Sequence, residues 1–183
     1  MDKFFLEKHE AVLVIVDIQE RLAAVMSERK KVVDNCLHLI ELCKLLNIPV
    51  LLNEQYPRGL GPTVSEIKEA LRPYAPLEKI SFDCCKGEAF PEKLAATGRK
   101  KVILAGMETH VCVLQTVLEL LDAGYTVHLV RDAVMSRRKD NWHVGLETAR
   151  AAGAVITSTE AALFQLLKVA GTEEFKKLSK LVR

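Results

Sequence analysis

Ala11-Val-Leu-Val-Ile-Val16, with Asp17 following at once, is the stretch that decides the fold. Every position is apolar and most are β-branched, which favours an extended chain. A strand with one wet face alternates apolar and polar residues. A strand apolar throughout is covered on both faces, as in a parallel sheet between helices. The same kind of run recurs outward along the chain. Pro49-Val-Leu-Leu52 leads to Asn53, Val102-Ile-Leu-Ala105 to Gly106, and Thr126-Val-His-Leu-Val130 to Arg131-Asp132. Shorter runs lie at Leu77 to Phe82 and, after Gly153, at Ala154-Val-Ile156.

Helical spacing fills the intervals. Val32 to Leu46 puts Val33, Leu37, Ile40 and Leu45 on one broad face. Thr63-Val-Ser-Glu66 reads as a capping box opening a short helix through Leu71. His110 to Asp122 and Asn141 to Ala152 are expected to be helices that stop at Gly124 and Gly153, each at a C′ position. Ala161 to Lys168 and Glu173 to Leu181 complete the set. Strand followed by helix, repeated, means βαβ units with right-handed crossovers, so the fold class is α/β with a parallel sheet. With no internal repeat or linker in 183 residues, a single domain over 1–183 is expected.

Composition narrows the partners. Hydrophobic residues make up 49%, which argues against disorder. Lys and Arg number 26 against 24 Asp and Glu, so neither a nucleic acid nor a membrane surface is an expected partner. Aromatics at 5% offer little for base stacking. No apolar run has bilayer length, and the charged stretch Met1 to Glu10 does not read as a signal peptide. Five cysteines (Cys36, Cys43, Cys84, Cys85 and Cys112) with no CxxC pair point to reduced thiols in a cytoplasm. No GxGxxG or GxxxxGK[ST] follows a strand, which weakens a nucleotide-binding reading.

Open parallel sheets bind ligands beyond the carboxyl ends of their strands, near the point where strand order reverses. Three side chains qualify by position: Asp17 after the first strand, Lys79 at the edge of the run Leu77 to Phe82, and Cys112 near the start of the helix after a central strand. Singly, each has a plainer reading, as a turn residue, a solvated cation and a small core residue. Together they supply a carboxylate, an ammonium and a thiol where a site is expected. A helix start and an ammonium push a thiol toward thiolate, and a carboxylate can take its proton.

Val102-Ile-Leu-Ala-Gly-Met-Glu-Thr-His-Val-Cys-Val113 resembles the nucleophile segment of the isochorismatase-like cysteine hydrolases, which include nicotinamidases and carbamoylsarcosine amidase-like enzymes. Val16-Asp17-Ile18-Gln19 is similar to the family's aspartate motif and Glu78-Lys79 to its lysine. Asp132-Ala-Val-Met-Ser-Arg-Arg138, with His143 following, also fits, and Asn53-Glu-Gln-Tyr-Pro-Arg-Gly-Leu-Gly-Pro-Thr63 resembles the isochorismatase domain-containing branch. The resemblance implies a three-layer α-β-α, Rossmann-like fold whose six-stranded, mainly parallel sheet has the order 3-2-1-4-5-6. It also implies Cys112 as nucleophile, Asp17 as general base and Lys79 as the cation that holds the thiolate. The backbone N–H groups of Val111 and Cys112 are expected as oxyanion donors, with a cis peptide at Gly106–Met107 and Thr109 bracing the loop through its hydroxyl. Gln19, Tyr56, Phe82 and His110 are candidates to touch substrate; Leu60 and Trp142 are further bulky residues near strand ends, and Arg58 could read an acidic group.

The Asp-x-His metal motif of the nicotinamidases is missing from His9, His38, His110, His128 and His143, so no metal and no cofactor is expected. His38 and His128 read as structural, Cys36 and Cys43 as core, Cys84-Cys85 as an ordinary adjacent pair, and Asp132 as a turn cap. The activity implied is hydrolysis of an amide or ureide in a small molecule, by a homo-oligomer. The alternatives are a vinyl-ether hydrolase of the isochorismatase kind, which Cys112 disfavours, and a binding, scaffold or redox-sensing protein that keeps the fold. The apolar faces of Leu163, Phe164, Leu166 and Leu167, and of Phe175, Leu178 and Leu181, could cover the sheet or a partner.

Overall fold

A computed structural model describes residues 1–180. In chain order the elements are β1 (Ala11–Val16), α1 (Glu20–Ala23), α2 (Arg29–Leu46), β2 (Val50–Gln55), α3 (Pro57–Leu60), α4 (Ser65–Ala70) and β3 (Leu77–Lys79). There follow α5 (Phe90–Ala96), β4 (Lys101–Met107), a π-helical turn (Thr109–Val113), α6 (Leu114–Asp122), β5 (Thr126–Met135), α7 (Lys139–Ala151), β6 (Val155–Thr157), α8 (Thr159–Leu167) and α9 (Glu173–Leu178). The six strands form one sheet in the order β3-β2-β1-β4-β5-β6, and every pairing is parallel.

The unbroken apolar runs have the consequence expected of them: all of β1 and all of β4 are buried. Alternate residues face opposite layers. Leu13 and Ile15 pack in one core with Val33, Cys36, Leu39 and Ile40 of α2 and with Leu163 and Leu166 of α8. Val12, Val14 and Val16 pack in a second core with Leu94 of α5, Val117 and Leu120 of α6, and Leu146 and Ala149 of α7. Each fully buried Leu or Ile there contributes about 1.5–3 kcal/mol relative to exposure. Leu178 of α9 joins the first core, and Phe164 lies beside Phe175 at the surface. Leu181 lies outside the described residues. Among those described, no helix is long and apolar enough to cross a membrane.

Several local expectations need correction. The helix expected from His110 opens as the π-helical turn and becomes α only at Leu114. The capping box does not form, because the Thr63 hydroxyl donates to Glu54 Oε1 (2.6 Å) rather than capping α4. β5 continues past Val130, so Asp132 lies within a strand and accepts from the Thr159 N–H and hydroxyl at the start of α8 instead of capping a turn. β2 likewise runs past Leu52 to Gln55, and β3 stops at Lys79. Gly124 and Gly153 occupy the expected C′ positions. All five cysteines are free, with Cys36 and Cys43 in the core.

Candidate active site

At the end of β1 the chain turns at Asp17, which holds φ 52°. Asp tolerates this left-handed conformation better than most residues. Its N–H donates to Asn53 O (3.1 Å) and its carbonyl accepts from the Gln19 N–H (2.9 Å), which anchors the turn on β2. Lys79, at the end of β3, reaches across β2, and its Nζ donates to Asp17 Oδ2 (2.7 Å), Ser81 O (3.2 Å) and Phe82 O (3.0 Å). The pair is almost wholly buried, with side-chain exposures of 1% and 0%. Asp17 Oδ1 has no hydrogen-bond partner among the described residues.

Cys112 is carried by the turn after β4, the neighbour of β1 at the point where strand order reverses. Close approach of the two strands is possible only because residue 106 is glycine. Gly106 has φ 133°, and a Cβ there would lie 2.0 Å from Val16 O. The Cys112 thiol donates to Gln55 Oε1 (3.2 Å) at the end of β2. Asp17 also lies near enough to the sulfur to raise its pKa, although the hydrogen bond with full geometry goes to Gln55. Four neighbouring strand ends thus bring Lys79, Gln55, Asp17 and Cys112 together.

The electrostatics differ from the expectation of a ready thiolate. Burial pushes the Cys112 thiol up, the Asp17 charge adds to this, and Lys79 opposes it without prevailing. The reason is geometric: the ammonium is spent on Asp17 and two carbonyls rather than on sulfur. The resting thiol is therefore neutral. Burial also raises Asp17 despite Lys79, while Lys79 itself is lowered by burial but raised overall by Asp17 and the neighbouring thiols.

The loop bearing Cys112 is braced from the β5–α7 connection. Its cis peptide lies at Met107–Glu108, one residue beyond the expected Gly106–Met107. The buried Glu108 carboxylate accepts from the Arg137 N–H (2.8 Å) and Nε (3.2 Å). His110 Nε2 faces the Asn141 amide nitrogen (3.2 Å), which can only donate, so Nδ1 carries the proton toward Ser136 Oγ (2.9 Å). Thr116 donates to Cys112 O (2.7 Å) and accepts from the Cys84 N–H (3.0 Å). Met107 is in the core, whereas the Thr109 hydroxyl is buried with no hydrogen-bond partner among the described residues, so it is not seen to brace the loop.

Other expected site residues fare differently. The Val111 N–H donates to Glu108 O (3.0 Å), so of the two expected oxyanion donors this one is already committed. Gln19 is fully buried, with Nε2 donating to Gln55 O (3.0 Å) and Gly61 O (2.7 Å) and Oε1 accepting from the Gln55 N–H (2.8 Å). It clamps β2 and has no group left for substrate. His110 is likewise occupied at both nitrogens. Phe82 contributes its carbonyl to Lys79 while its ring is exposed. Tyr56 and Arg58 line a cleft of about 470 Å³ with Lys79, Ile80 and Ser81. Trp142 lines a different cleft, beside Arg131 and Lys139. Among the described residues, no three His, Cys, Asp or Glu side chains converge as metal ligands. Gln55 escapes the sequence reading because the apolar run ends at Leu52, whereas β2 continues three residues further and puts Gln55 at its end.

A family model described as the isochorismatase domain matches residues 11–161. A secreted isochorismatase effector of Phytophthora sojae is 43% identical, with 96% of this chain and 85% of that protein covered. The structure of the MAR1 ribonuclease from Caenorhabditis elegans superposes with a TM-score of 0.89 at 35% identity, covering 97% of this chain and 92% of that one. YcaC from Escherichia coli, described as an octameric hydrolase of unknown specificity, gives 0.90 at 28%, covering 97% and 90%. YcaC from Pseudomonas aeruginosa, described with covalent acrylamide, gives 0.89 at 27%, covering 97% and 91%. By its domain match and its curated relative, the chain belongs to the isochorismatase family.

Proposed function

We propose that the chain is a metal-independent cysteine hydrolase that cleaves a C–N amide or ureide bond of a small molecule through a covalent Cys112 intermediate. The observation that carries this reading is the buried Asp17–Lys79 pair set beside the Cys112 thiol, with Asp17 Oδ1 left without a donor. A neutral thiol and a carboxylate of raised pKa are the two ends of one proton transfer. In the proposed reaction the thiol proton passes to Asp17 Oδ1 as sulfur bonds to the carbonyl carbon, and the C=O electron pair moves to oxygen. The Cys112 N–H, within the π-helical turn, is the oxyanion donor in this scheme. Asp17 then gives its proton to the departing nitrogen as the C–N bond breaks. A water, losing its proton to Asp17, attacks the thioester, and the sulfur leaves and is reprotonated. Lys79 holds Asp17 in place throughout and keeps its charge compensated.

The covalent acrylamide described for YcaC from Pseudomonas aeruginosa supports a reactive group in that relative. The octameric state described for the Escherichia coli YcaC supports a homo-oligomer here, as do the exposed Tyr56 and Ile80 that line the cleft. Free thiols support a reducing, cytoplasmic setting, although the Phytophthora relative is described as secreted. A second reading is favoured by one observation: a buried, neutral thiol is also what a binding protein that keeps the fold without turnover would show.

The test is ammonia release from a panel of small amides and ureides, with intact-mass detection of an acyl adduct. Cys112→Ala is expected to fall to background while its circular dichroism stays unchanged. Turnover that survives this substitution would end the proposal, and a wild type silent on the whole panel with no adduct would favour the binding protein.

A further inference from the structure

Gln55 holds a carboxamide oxygen against the nucleophile, and its place is closely fixed. Gln19 clamps its backbone on both sides, through Gln55 N and Gln55 O. Its own Nε2 donates to Ile80 O (3.2 Å), which turns Oε1 toward Cys112. In the resting site that oxygen is satisfied by the thiol proton at 3.2 Å.

The proton cannot be in two places. When it moves to Asp17 Oδ1, Gln55 Oε1 loses the one donor it has among the described residues and is left facing a forming C–S bond. An acceptor stranded in a closed site is unfavourable, and a site built around a hydrogen bond rejects analogues that cannot make it. Building on the cysteine-hydrolase reading, we infer that Gln55 Oε1 selects the substrate. It accepts a hydrogen bond from an N–H on or next to the carbon under attack, so carboxamides and ureides are taken in preference to matched esters and vinyl ethers. Gln55 is thus a specificity residue that trades one donor for another: thiol S–H at rest, substrate N–H during attack. Nε2 does not serve this role, because Ile80 O fixes it on the far side of the carboxamide.

A matched pair of alkylating probes reads this without knowledge of the natural substrate. Iodoacetamide and methyl iodoacetate deliver the same carbon to sulfur with loss of iodide, and differ only in an N–H₂ against an O–CH₃. The rate ratio at Cys112 is measured by peptide mass spectrometry and divided by the ratio at glutathione. The wild type is expected to favour the amide by about tenfold or more after this correction. Gln55→Met, which has no comparable acceptor, is expected to bring the ratio to the glutathione value. Gln55→Glu keeps an acceptor in the same place and is expected to retain the preference even if both absolute rates fall. Because each ratio is taken within one protein, slower or partly destabilised variants remain interpretable. A wild-type ratio equal to that of glutathione, a ratio unmoved in Gln55→Met, or one lost equally in Gln55→Glu would overturn the assignment. Failure of the hydrolase reading looks different: labelling still favours the amide, while no amide or ureide is turned over.

Discussion

Two ionised side chains sealed at a strand end are stabilising only as a pair. Lys79 and Asp17 are each removed from water, and their attraction must offset the desolvation of both. Breaking such a pair from one side typically costs about 3–5 kcal/mol, because the remaining charge is stranded. Lys79→Met is therefore expected to lower unfolding stability by about that much in a denaturant titration, less whatever Asp17 recovers by taking up a proton. Adding Asp17→Asn to Lys79→Met should restore part of the loss, so the double variant should be less destabilised than the sum of the single ones. Strict additivity would mean that the contact does not couple the two residues. Asp17, Lys79 and Cys112 were legible in the sequence because each stands beside a run that reads as a strand. Gln55 was not, since nothing local marks a glutamine whose partner is 57 positions away.

Elements set how rigidly the Cys112 thiol is presented. The turn carrying Cys112 is pressed by α7, whose Gly145 has no room for a side chain: an added Cβ would lie 2.9 Å from Thr109 C and O and 3.0 Å from His110 N. Those contacts are backbone, so the helix or the turn must shift. Gly145→Ala is expected to cost about 1–3 kcal/mol by overpacking. It should also lower kcat more than the stability loss explains, because it moves the Cys112 turn. Thermal unfolding and steady-state kinetics on whichever amide proves to be a substrate would separate the two effects. Unchanged kcat would mean that the turn keeps its geometry when α7 is displaced. The sequence spacing predicts this helix from Asn141, whereas α7 begins at Lys139. Strand β5 runs on to Met135 and so brings Ser136 and Arg137 against the turn that carries Cys112. Strand ends are hard to read locally, because Arg131 and Asp132 look like a turn until α2 and α8 supply the hydrogen-bond partners of Asp132.

At the scale of the whole molecule, stability and chemistry sit in different places. His128 is buried in β5 alongside Ile103 of β4 and Val155 of β6, in the half of the strand remote from the strand ends that carry the candidate site. Among the described residues neither ring nitrogen has a partner, and burial, reinforced by Lys101, pulls its pKa down to about 4; the Lys3 backbone lies close and works the other way, without a well-formed hydrogen bond. The unfolded chain binds this proton near pH 6.5 and the folded one only near pH 4. The unfolded state therefore holds more protons in that window, and stability is full above about pH 6.5 and lost progressively as pH falls toward 4. The loss amounts to about 3 kcal/mol at most, at 1.36 kcal/mol per unit. His128→Leu should flatten urea midpoints between pH 7 and pH 4.5; a variant as pH-sensitive as the wild type would place the acid lability elsewhere. The sequence by itself determined the layered α/β arrangement, because unbroken apolar runs have no stable place except between two covering layers, and it marked the strand ends where a site must lie. Only the tertiary structure decided what those ends do. Lys79 meets Asp17 across 62 residues of chain, spends its charge there rather than on sulfur, and leaves Cys112 a neutral thiol held by Gln55. Charge state and hydrogen-bond choice depend on distance and burial, and those exist only once the strands are side by side.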